Sequence, residues 1–124
     1  MPGESSHRAG RALKALGQAA PGAAADATLY APTARFVGVV ALLVICNTGA
    51  ATTFRVHNDL TGATSVVGNA LFYDTAIGAN ATIFLPISPA MECGVVIRSA
   101  GTLRVRSLSG NVTFTAYGFE EQIQ

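Results

Sequence analysis

The sequence predicts an all-β domain, an antiparallel sandwich or barrel of about eight strands behind a short N-terminal arm. Three observations lead there. From Thr28 onward, β-branched and aromatic residues recur in short runs. Turn signals built from Gly, Asn and Pro separate those runs about every 8–12 residues. No apolar stripe of helical period longer than two turns occurs after residue 27.

The elements follow in order. Residues 1–27, "MPGESSHRAGRALKALGQAAPGAAADA", are rich in Ala and Gly and lack β-branched side chains until Thr28. Arg8 to Ala20 reads as a short helix with Leu13 and Leu16 on one face, capped by Ser5 or Ser6 and stopped by Gly17 and Pro21-Gly22. Two leucines anchor a helix weakly, so the alternatives are a disordered tail and an arm that orders on a partner. "TLYA" is a first strand, closed by Pro32. "RFVGVVALLVIC" is a second, with Gly38 as a bend or bulge, and "NTGA" turns it. "TTFRVHN" alternates, Phe54 and Val56 one way, Arg55 and His57 the other. "DLTGATSVVGN" is a loop, "NALFYDTAI" a fourth strand and "GAN" its turn. "ATIFLPI" and "MECGVVIRS" follow. "TLRVRSL" points Leu103 and Val105 inward and Arg104 and Arg106 outward. After "SGN", "NVTFTAYGFEE" sets Val112, Phe114 and Ala116 on one face and Thr113, Thr115 and Tyr117 on the other. The domain reading is an arm over 1–27 and a sandwich over 28–124.

Phe36–Cys46 is eleven residues without a polar side chain. A membrane span needs about 20, and Val and Ile favour strands. A strand without alternation has no wet face. Phe36, Val37, Val39, Val40, Leu42, Leu43, Val44 and Ile45 are therefore assigned to the core or to a subunit interface, covered by the partner sheet and by the arm or a neighbouring subunit. The N-terminus is polar where a signal peptide would be apolar, so the expected setting is the cytosol.

Composition points to assembly. The 124 residues are 50% hydrophobic and 12% charged, with net charge +1, whereas globular chains are about 25% charged. Residues 27–124 carry five arginines against five acids. Low charge leaves apolar surface for partners, and no basic patch of nucleic-acid type is evident. Arg104 and Arg106, with Arg98 nearby, form a short basic stripe without the aromatics of single-strand binders; a solvated face or contact with an acidic partner is expected. Cys46 and Cys93 lie in apolar contexts outside any C-x-x-C spacing and read as reduced core thiols, a disulfide being open on geometry.

No catalytic constellation appears. His57 lies near Asp59, but the other histidine is His7 in the arm, too few ligands for a metal. His57 is expected as a surface residue at a strand end. Asp74 is expected as a buried partner of an arginine or as a strand-end residue. No G-x-S-x-G elbow or phosphate loop occurs. The expectation is a non-enzymatic chain with no cofactor, no metal, no nucleic-acid partner and no membrane.

"GQAAPGAAADATLYAP", "LVICNTGAATTFRV", "LFYDTAIGANATIFLP" and "SGNVTFTAYGFEE" resemble small accessory virion proteins of tailed bacteriophages and phage-like particles, over about residues 17–121. The resemblance implies a jelly-roll-like β-sandwich that assembles as a symmetric homo-oligomer, commonly a trimer. It implies a virion component, assembled in the host cytoplasm, that decorates or cements a capsid, builds a collar or spike, or attaches to tail fibres or baseplate. The arm, through Arg8, Arg11, Leu13, Lys14 and Leu16, would dock on a capsid, collar or tail protein. The rival readings are a carbohydrate- or host-surface-binding module, for which exposed aromatics are few, and a cupin-like enzyme, for which histidines are too few.

Overall fold

Alternating apolar residues close two antiparallel sheets onto one core. The computed structural model describes residues 13–61, 65–86 and 95–123. Among these residues the strands are β1 (Lys14–Ala19), β2 (Asp26–Tyr30), β3 (Phe36–Asn47), β4 (Thr52–Asp59), β5 (Ala70–Ile77), β6 (Thr82–Pro86), β7 (Val95–Ile97), β8 (Thr102–Ser107) and β9 (Val112–Gln122). The first sheet runs β1-β9-β3-β6, with β7 also on β3; the second runs β2-β8-β4-β5. β6 pairs with Leu42–Cys46 and β7 with Gly38–Val40, end to end along one side of β3. Counted as one interrupted strand, they leave eight strands in the orders 1-8-3-6 and 2-7-4-5. That is the jelly-roll arrangement.

The core forms where the inward rows meet. β3 contributes Val40, Leu43 and Ile45, and β9 contributes Val112, Phe114 and Ala116. Against them stand Leu29 and Tyr30 of β2, Phe54 and Val56 of β4, and Leu103 and Val105 of β8. Phe54 meets Phe114 edge-on at 6.0 Å between ring centroids. Full burial of such a side chain stabilises the fold by about 1.5–3 kcal/mol, so these rows hold the sheets together.

Two expectations are corrected. The helix expected from Arg8 to Ala20 does not form over Lys14–Ala19, which pairs with β9 as an edge strand. A helix here would bury two leucines; the strand instead meets the open edge of β9 and satisfies backbone groups in a ladder. Leu16 packs on the core. Gly17 crosses β2 so closely that a Cβ would lie 2.0 Å from the Leu29 carbonyl oxygen. The irregularity expected at Gly38 lies instead between Val40 and Leu42, where Ala41 is the extra residue against β9. Gly38 serves a different need: the Tyr30 ring covers it, and a Cβ would meet that ring at 2.3 Å.

Candidate assembly interface

β3 is central in its sheet, between β9 on one side and β6 and β7 on the other. Its inner residues, Val40, Leu43 and Ile45, are buried in the inter-sheet core. Val39 and its register partner Phe119 are also buried, yet stand outside that core cluster. This part of the strand is dry on both faces. Further along, within the single chain, Leu42, Val44 and Cys46 are half-buried, alternating with buried neighbours. Phe36 and Val37, at the start of the strand, are half-buried as well. Among the described residues, the side chains beside Leu42, Val44 and Cys46 are those of the flanking strands.

The registers place those flanking side chains. Val44 pairs with Phe84 of β6 and Thr115 of β9. Leu42 pairs with Pro86 and Tyr117, and Cys46 with Thr82 and Thr113. Gln18 of β1 closes the Val44 row, its Nε2 donating to Thr115 Oγ1 at 3.0 Å. None of these residues is charged. Phe84 is 64% exposed at the centre of the β6 edge, because Ile83 and Leu85 on either side of it turn to the core. The "TIFLP" run carries this signal in sequence: three consecutive apolar residues in a strand force one outward.

The opposite outer face, on the second sheet, is built differently. Arg106 registers with Asp26 on one side and Arg55 on the other; Arg104 registers with Thr28 and His57. β5 is bulged here: Phe54 pairs with Thr75 but Val56 pairs with Phe72, so Tyr73 and Asp74 together oppose Arg55. Asp74 takes a left-handed φ of 50°, which the short Asp side chain tolerates better than most. Arg55 grips Asp74 with a fork, Nε to Oδ1 at 2.7 Å and Nη2 to Oδ2 at 3.2 Å. Its guanidinium also lies 4.1 Å from the Tyr73 ring centroid. The hydrogen bonds and charge of Arg55 hold the exposed Asp74 carboxyl below its ordinary range. Asp74 is therefore an arginine partner, as expected, but an exposed one.

His57 is not the surface histidine expected. It is 2% exposed, because the 3-10 turn Val67–Asn69 and the residue before it fold over its ring. Nδ1 sits 2.7 Å from Asn69 Oδ1 and 3.1 Å from the Val66 carbonyl. Asn69 Oδ1 also accepts from the Val66 N–H at 3.2 Å, so Nδ1 faces two acceptors and carries the proton. Loop geometry of this kind has no periodic signature in the sequence.

One end of the sandwich is tied by asparagines. The buried Asn47 donates from Nδ2 to the carbonyls of Ala50 and Gly78, each at 2.9 Å, and accepts from the Gly49 N–H at 3.0 Å. Thr48 N–H reaches the Asn111 carbonyl at 3.0 Å. "CNTG" therefore clips three turns together rather than merely reversing the chain.

Of the arm residues, Arg8 and Arg11 lie outside the described residues. Leu13 is exposed. Lys14 is exposed, its Nζ 3.7 Å from Glu120 Oε1, whereas Leu16 is packed on the core and is not presented for docking. Glu120 also accepts a 2.5 Å hydrogen bond from the Tyr30 hydroxyl. Burial first, then that bond and the Glu120 charge, push the Tyr30 phenol above its ordinary value of 10.0. Cys46 is a free thiol, and Cys93 lies outside the described residues. Among the described residues no three His, Cys, Asp or Glu side chains cluster as metal ligands, and no helix is long and apolar enough to cross a membrane. In comparisons with known proteins, no family model, no curated protein and no solved structure matches this chain.

Proposed function

We propose that the chain is a non-enzymatic structural component of a phage virion, a decorating or stabilising subunit that self-associates through the outer face of its first sheet and docks on a neighbouring capsid, collar or tail protein. The observation that carries this reading is the uncharged face built from Leu42, Val44, Phe84, Pro86 and Tyr117. An antiparallel sheet facing water normally presents polar side chains there. Covering apolar surface gains about 25 cal/mol per Å², and contiguous exposed patches mark contact sites. A second copy is the simplest cover, since most soluble oligomers are symmetric assemblies of one chain. The jelly roll supports the reading, being an architecture common in viral capsid proteins, and the phage-protein resemblance supplies the setting and the trimeric state. Because Leu16 is packed on the core, docking is assigned to Arg8, Arg11, Leu13 and the exposed Lys14.

Antibody labelling of purified phage particles tests this proposal. Label at symmetric positions on the particle is the expected result; particles without the chain would contradict it. Deleting residues 2–12 is expected to leave a folded domain that no longer joins particles, and full incorporation of the deletion would contradict docking by the arm.

A further inference from the structure

The two outer faces of the sandwich differ in chemistry, and the second carries a binding arrangement of its own. Arg55, Arg104 and Arg106 stand on adjacent strands of one face, with Asp26 beside Arg106 and Asp74 on Arg55. Surface arginines usually spread over many rotamers, but these are pinned. Arg104 donates from Nε to Ser65 Oγ at 3.1 Å and from Nη1 to Thr28 Oγ1 at 3.0 Å. Arg106 donates from Nε to the Ala24 carbonyl at 3.3 Å. Arg106 is anchored through Nε alone and Arg104 through Nε and one Nη1 N–H, which leaves terminal N–H groups on both for another acceptor. Neither arginine forms an ion pair with a described carboxylate, the two ion pairs among these residues being Lys14–Glu120 and Arg55–Asp74. Tyr73, 44% exposed, stands beside them with Arg55 against its ring.

We propose that this face binds an acidic polysaccharide, one whose sugar rings carry carboxylate groups. Pinned guanidinium forks take carboxylates with good geometry and little further loss of side-chain freedom. Sugar hydroxyls both donate and accept, so they suit a face where Asp26 and Asp74 offer acceptors on either side of the arginine donors. The Tyr73 ring offers an apolar plane with a polar tip to the C–H face of a sugar. Nucleic acid fits less well. Three arginines against two aspartates give too small a positive field for phosphate-driven binding, and one tyrosine is no stacking platform. The proposal is independent of what covers the first sheet.

The test uses the purified full chain on three matrices: immobilised alginate, neutral dextran and single-stranded DNA. Retention on alginate, reversed by salt and by free galacturonate but not by galactose, is expected, with none on dextran. The Arg104→Gln/Arg106→Gln double variant is expected to bind alginate at least about tenfold more weakly. Tyr73→Ala, which leaves the charge unchanged, is expected to weaken binding several-fold, and Arg35→Gln, away from this face, to leave it intact. Competition by galacturonate is read on the unmodified chain and so does not depend on how the variants fold. Absence of retention on alginate, stronger retention on DNA, equal competition by galactose, or undiminished binding by the double variant would overturn the proposal.

Discussion

Asn47 and Gly118 are held by requirements that few other side chains meet. Asn47 satisfies two carbonyls and one N–H in the turns it joins. Asn47→Ala would leave these groups short of partners in a buried site and is expected to cost at least about 2 kcal/mol, read by chemical denaturation. At Gly118 a Cβ would lie 1.8 Å from the Val39 carbonyl oxygen. Gly118→Ala must therefore move backbone in the centre of the first sheet, and a loss of about 1–3 kcal/mol is expected. Gly22→Ala meets nothing within 4 Å, so its effect is expected to stay within about 0.5 kcal/mol; the pair separates crowding from loss of glycine as such. Tyr30 makes a prediction in pH. Its phenol titrates above the ordinary 10.0 when folded, so the unfolded chain gives up the proton first. Stability is then fully present below pH 10.0 and falls as the pH rises beyond it. A Tyr30→Phe chain lacks that term, and its thermal stability is expected to decline less across the alkaline range.

At the scale of elements, alternation was the reliable guide. The inward and outward sets of β8 and β9 follow from period two alone: Leu103 and Val105 are buried with Arg104 and Arg106 outside, and Val112, Phe114 and Ala116 are buried with Thr113, Thr115 and Tyr117 half-covered. Local pattern was a poor guide to β1, where Ala, Leu and Lys favour helix but an open strand edge settles the outcome. It was also a poor guide to β5. Its bulge breaks the alternation, so Tyr73 and Asp74 reach the same arginine although they are consecutive. The uncharged face was half legible: the apolar run of β3 announced it, while Phe84 came from a segment that reads simply as another buried strand. Two predictions belong here. Phe114→Ala removes a ring buried between sheets and packed on Phe54, and a cost of about 3–5 kcal/mol is expected in equilibrium unfolding. The Arg55–Asp74 fork holds an exposed bulge, and Asp74 titrates below its ordinary 3.8. Its contribution is present at neutral pH and lost as the pH falls below that value. It is also expected to fade in high salt, so Asp74→Asn should differ from the unmodified chain at pH 7 in dilute buffer and match it in acid.

For the whole molecule, the contrast between the two outer faces organises the account. The second sheet presents arginines, aspartates and a tyrosine to solvent; the first presents, around Leu42, Val44 and Tyr117, an uncharged surface with Phe84 at its edge and Glu121 further along β9. A chain with this little charge stays soluble most readily when the uncharged face is covered. Cys46 lies on that face beside Thr82 and Thr113, so alkylation of its thiol should be slower in the assembled protein than in a dissociated one. The most direct measurement is the native mass of the purified chain beside that of Phe84→Asp, which sets a charge on the exposed edge of that face without touching the core. The account predicts a closed oligomer, three copies of the 12.7 kDa chain, and a folded monomer for the variant. A 12.7 kDa monomer for both, or an oligomer that the aspartate leaves unchanged, would contradict it.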